Sequence, residues 1–71
     1  MPITEQEVEF TLHAVEKIQE RGISTTEVLR TLQQGAKSKQ LEGILTVHAG
    51  IGVAYRKTAK GTYRVKTVMR I

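Results

Sequence analysis

The stretch ILTVHAGIGVAYRKTAKGTYRVKTVMRI, residues 44–71, decides the fold. β-Branched and aromatic residues dominate it and glycines punctuate it, so ILTVH (44–48), IGVAYRK (51–57) and TYRVKTVMRI (62–71) read as strands. The turns Ala49-Gly50 and Thr58-Ala59-Lys60-Gly61 are too short for a crossover, which makes consecutive strands antiparallel. SKQLE, 38–42, is a candidate for a further short strand.

Upstream of Gly35 the signals are helical. Thr4-Glu5-Gln6-Glu7 is a capping box in which the Thr4 hydroxyl and the Glu7 carboxylate satisfy orphan backbone donors, and it predicts a helix from about residue 5 to 21. Gly22 supplies a left-handed stop. Ser24-Thr25-Thr26-Glu27 is a second box, flanked by Ile23 and Val28 at the spacing of a hydrophobic staple, and it predicts a second helix from about 25 to 34. The expected architecture is α+β: one domain over residues 1–71, with two N-terminal helices packed on a three- to four-stranded antiparallel β-sheet.

Periodicity assigns the faces. On a helical wheel Val8, Leu12, Ala14, Val15 and Ile18 fill one arc, while His13, Lys17 and Arg21 fall opposite with Phe10, beside an acidic strip of Glu9, Glu16 and Glu20. In the last strand Tyr63, Val65, Thr67, Met69 and Ile71 alternate with Arg64, Lys66, Val68 and Arg70. In its neighbour Ile51, Val53 and Tyr55 alternate with Gly52, Ala54 and Arg56. A helix pair covers the first face and leaves a cationic second face open.

Composition narrows the function. The chain has no cysteine, so neither disulfides nor thiolate zinc ligation can staple so short a domain, and association, for example as a homodimer, is an open route to stability. No apolar run approaches the roughly 20 residues of a membrane span, and the acidic start MPITEQEVEF is unlike a signal peptide, so the expectation is a soluble cytoplasmic protein without a membrane partner. Eleven Lys and Arg against seven Glu give a formal charge of +4, and the distribution is uneven. After Gly35 there are eight Lys or Arg and only Glu42, a balance that suits a polyanionic partner. There is no aspartate for a two-metal nuclease, and Gly50 and Gly52 are not followed by the GK[ST] of a phosphate loop, so neither a metal nor a cofactor is expected.

The remaining chemistry rests on few residues. His13 and His48 are the side chains that titrate near neutral pH, the natural acid or base for moving a proton off a ribose 2′-hydroxyl. Lys17, Arg21, Arg56 and Arg64 are cations of the kind that stabilise a pentavalent phosphorane. Tyr55 and Tyr63 either pack under the helices or offer a ring to a base.

His13-Ala14, a basic residue at 17, Glu20-Arg21-Gly22-Ile23-Ser24, Val28, Gly35 and the final VKTV resemble a family of small bacterial and phage proteins known as a domain of unknown function. That family is similar in layout to the ribonuclease toxin fold of RelE and ParE-type toxins, colicin D and barnase-like domains. The resemblance implies a metal-independent endoribonuclease of the toxin type, with His13 as base, Lys17 and Arg56 on the phosphate and Thr67 positioning it. It further implies RNA, such as tRNA or ribosome-bound mRNA, and an antitoxin protein as partners. Strict alternation places Thr67 on the face away from Arg64 and Lys66, so all three share a site only if a bulge intervenes. The alternative is a noncatalytic RNA- or protein-binding module. Its charged platform is Arg56, Arg64, Lys66 and Arg70, and the RNA contacts expected overall are Arg21, Tyr55, Arg64, Lys66 and Arg70.

Overall fold

In the computed structural model, which describes residues 3–71, the segment before Gly22 divides at Thr11 instead of forming one helix. The Glu7 carboxylate does accept from the Thr4 backbone N–H (3.4 Å) and hydroxyl (3.2 Å), but the box closes only a 3-10 turn, Glu5–Glu7. Strand β1, Val8–Phe10, follows, and helix α1 starts at Leu12 and ends at Arg21. Thr11 makes the break: its backbone N–H donates to the Val65 carbonyl (3.2 Å), its hydroxyl donates to the Lys66 carbonyl (3.2 Å), and the same oxygen caps α1 by accepting from the Ala14 N–H (3.1 Å). Three alternating residues paired to a distant strand thus override a local helix signal.

Helix α2, Thr25–Gln34, forms as its box predicts, with Ser24 and Glu27 exchanging hydrogen bonds at 3.1 Å. Gly22 closes α1 in the left-handed region at φ 64°. Gly35 is needed for a different reason. A Cβ there would meet the Thr46 hydroxyl and lie 2.5 Å from the Thr31 carbonyl, the pair whose 2.9 Å hydrogen bond ties α2 to the sheet.

The remaining strands are β2 (Ala36–Gln40), β3 (Gly43–His48), β4 (Ile51–Lys57) and β5 (Tyr63–Arg70). They order as β1-β5-β4-β3-β2, antiparallel throughout except that β1 runs parallel to β5. The expected three- to four-stranded antiparallel sheet is therefore a five-stranded mixed one, because β1 was hidden inside the supposed first helix. The β3–β4 turn holds Ala49 and Gly50 at φ 51° and 79°, the positive pair of a tight hairpin.

Both helices cover one side of the sheet. Val28 and Leu32 of α2 and Ala14 of α1 pack on Val53, Tyr55, Val65 and Val68, all buried. Burying each such Val or Leu contributes about 1.5–3 kcal/mol. The rotation of α1 differs from the wheel: Leu12 is 76% exposed and Val15 37%, while Lys17 and Arg21 are half-buried beside Ala14 and Ile18. A narrow stripe of Ala14 and Ile18 suffices here, so Leu12 and Val15 face outward. Among the described residues no helix is long and apolar enough to cross a membrane.

The bulge lies in β5. Ala54 pairs with Thr67 but Tyr55 pairs with Val65, leaving Lys66 as the extra residue. Val65 and Val68 therefore both face the helices, and Thr67 moves to the open side with Arg64. The strict alternation that grouped Arg64 and Lys66 with Val68 and Arg70 is corrected accordingly.

Candidate functional site

The open face of the sheet is ordered in rows by its register. Glu9 of β1, Arg64 of β5 and Arg56 of β4 stand side by side at one end. Arg56 and Arg64 are directly opposite each other and exposed, and among the described residues neither guanidinium has a hydrogen-bond or ion-pair partner. Like charges placed opposite on a sheet are destabilising, so this pair is a cost that an anion would remove. Glu9 accepts from the Thr62 hydroxyl at 2.7 Å. The next row holds Thr67, Ala54, Leu45 and Ser38, and beyond it Met69, Gly52, Val47 and Ala36 make the other end aliphatic.

Two recesses open at the charged end, around the β2–β3 turn. The larger, about 600 Å³, is lined by Lys37 and Lys39 of β2, Arg56 and Lys57 of β4, and Leu41, Glu42 and Ile44. The smaller, about 210 Å³, shares Gln40, Glu42, Gly43 and Ile44 with it and adds Ala54, Tyr55, Lys66 and Thr67. The Lys66 ammonium crosses to donate to the Glu42 carbonyl. Gly43 permits the close approach of β4 here: at φ 153° it lacks the Cβ that would sit 2.6 Å from the Tyr55 carbonyl. Five cations, Lys37, Lys39, Arg56, Lys57 and Lys66, thus line adjoining recesses with one carboxylate, Glu42. Such one-signed clefts concentrate counter-ions and raise association rates.

Of the residues singled out by sequence, Arg56, Arg64, Lys66 and Thr67 meet at this sheet end. His13 is exposed in the first turn of α1, and neither it nor Lys17 lines either recess. The Lys17 ammonium is paired with Glu20 at 3.4 Å. Arg21 is half-buried with an enclosed, unpartnered Nε, and Arg70 belongs to the helix side, where its Nε donates to the Arg21 carbonyl at 3.1 Å and holds the end of α1. Arg70 is therefore no part of an open cationic platform.

Tyr55, expected to offer its ring to RNA, is 2% exposed and packs edge-to-face on Tyr63 with centroids 5.5 Å apart, and burial pushes its hydroxyl pKa up. Tyr63 carries Lys57 Nζ 4.4 Å above its ring, a cation–π contact. His48 lies elsewhere, in a shallow recess with Glu27, Arg30 and Thr31. Sequence reasoning missed Lys37, Lys39 and Lys57. The alternation in AKSKQ and the near absence of acids after Gly35 are the signals that point to them. Among the described residues no group of three or more His or Glu side chains is placed to hold a metal ion.

Fold and site together define a small α+β domain with a cationic sheet end. Residues 10–70 match the model of DUF4258, a domain of unknown function, and the chain belongs to that family. No curated protein and no solved structure matches the chain.

Proposed function

We propose that this domain binds RNA noncatalytically through the cationic end of its sheet, with Arg56, Arg64 and Lys66 on phosphates and the Thr67 hydroxyl beside them. The observation that carries this reading is the unpartnered Arg56 and Arg64 pair next to recesses lined by four lysines and a single carboxylate. Phosphate neutralisation by fixed cations releases condensed counter-ions, so affinity falls steeply with salt. The test is titration of a labelled RNA at several salt concentrations. Binding that weakens steeply with salt supports the proposal, and no binding at low salt ends it.

A second reading, a metal-independent endoribonuclease of the toxin type, is favoured by one contact. The Thr11 hydroxyl bonds the carbonyl of the bulge residue Lys66, so α1 begins beside the bulge and His13 lies in its first turn. In this reading His13 takes the proton from a ribose 2′-hydroxyl, whose oxygen attacks phosphorus while the bond to the 5′ oxygen breaks and that oxygen takes a proton from solvent water. Lys17 and Arg56 stabilise the phosphorane and Thr67 positions it. RNA incubated without metal separates the readings. A cleaved product lost in His13→Ala favours the enzyme, and intact RNA favours the binding module.

A further inference from the structure

Resting on the RNA-binding reading, we infer that the RNA this sheet end accepts is double-stranded, held by its backbone with no base read by stacking. The chain has three aromatic residues, Phe10, Tyr55 and Tyr63. Phe10 is in register with Val65, and Tyr63 with Val8 and Lys57, so all three lie on the side of Val65 and Tyr55 that the helices cover. Among the described residues the open face offers aliphatic, hydroxyl, amide and cationic groups with one carboxylate, Glu9, at its β1 edge: Leu45, Val47, Met69, Ser38, Thr67, Gln40 and the two arginines.

Single strands are held chiefly by bases splayed onto aromatic rings, and a face without rings forgoes that contribution. A-form duplexes keep their bases stacked and present phosphates and 2′-hydroxyls, which are the groups that lysine, arginine and threonine bind. On the open face the cations stand on the adjacent strands β4 and β5, about 5 Å apart, and Lys37 and Lys39 of β2, in register with Thr46 and Ile44 on the helix side, add charge at the sheet edge through the recess they line with Arg56. Charges fixed on a sheet suit phosphates already fixed by a helix, because neither side is ordered on binding.

The test compares three labelled ligands of equal phosphate number on the intact chain at one low salt concentration: an RNA hairpin with a stem of about 16 base pairs, a uridine oligomer, and the DNA hairpin of the same sequence. The expected result is RNA hairpin binding about tenfold or more tighter than the uridine oligomer, whose bases find no ring to stack on. The DNA hairpin should bind more weakly than the RNA hairpin, since it lacks the 2′-hydroxyl. Equal or tighter binding of the uridine oligomer overturns the inference and leaves RNA binding standing. Equal binding of the two hairpins overturns the A-form preference. No binding of either RNA overturns the RNA-binding reading itself, and the duplex preference with it.

Discussion

Helix α1 and the charged sheet end carry similar side chains and treat them in opposite ways. On α1, Lys17 is paired with Glu20, so its charge is met locally by a neighbour on the same helix. At the sheet end, strands distant in sequence bring Arg56, Arg64 and Lys66 together, and although Glu9 and Glu42 stand nearby, among the described residues neither arginine is ion-paired. Charge that local sequence balances is ordinary solvated surface. Charge that only the fold assembles is the better candidate for a ligand.

Inserting one residue between Thr67 and Val68 breaks the comparison most severely. The insertion shifts Val68–Arg70 by one position, turns Val68 from the core to the open face and carries Arg70 away from the Arg21 carbonyl. The cooperative unfolding transition followed by circular dichroism should be lost, whereas deleting Lys66, the extra residue of the bulge, keeps Val65 opposite Tyr55 and Thr67 opposite Ala54 and should leave the fold intact. An insertion variant with wild-type stability would show that the register of β5 does not set the faces.

Next in size is Gly35→Ala. The new methyl displaces the Thr46 hydroxyl from the Thr31 carbonyl and loosens the joint between α2 and β3, the strand paired with the β2 that carries Lys37 and Lys39. Urea denaturation should read a loss of about 1–3 kcal/mol.

These two sites also mark where the sequence stopped being legible. Helix α2, the β3–β4 hairpin and strand β4 could be read because capping boxes, tight-turn residues and alternation are local signals. Strand β1 could not, since only its pairing with Tyr63–Val65 tells Val8-Glu9-Phe10 from a first helical turn. The rotation of α1 was misread because Ala14 with Ile18 and Leu12 with Val15 have spacings a wheel cannot rank. For the site, residue types sufficed to select Arg56, Arg64, Lys66 and Thr67. Their convergence depended on a bulge, and Tyr55 looked like a ligand contact until the core claimed it.

A smaller effect sharpens the contrast. Glu42 is the carboxylate among the recess residues, so Glu42→Gln should tighten RNA binding by about threefold, the scale of one exposed charge contact. Glu20→Gln on α1, measured beside it, should leave affinity unchanged.

Smallest of all is a pH effect far from both regions. Hydrogen bonds from the Ser24 N–H and hydroxyl hold the Glu27 carboxyl below the ordinary carboxylate range. Folding therefore favours the ionised form, and its contribution is present above that range and lost as pH falls through the lowered folded value. Glu27→Gln should reduce the difference in urea midpoint between neutral and acidic pH, with little change at neutral pH because glutamine can still serve the box.

The most direct test is the salt dependence of RNA hairpin binding for three proteins. The wild type should lose affinity steeply, Arg56→Ala with Arg64→Ala should reduce the log–log slope by about 0.9 for each lost phosphate contact, and His13→Ala with Lys17→Ala should keep the wild-type slope. A slope that falls with the α1 pair and not with the arginine pair would contradict the placement of the site at the sheet end.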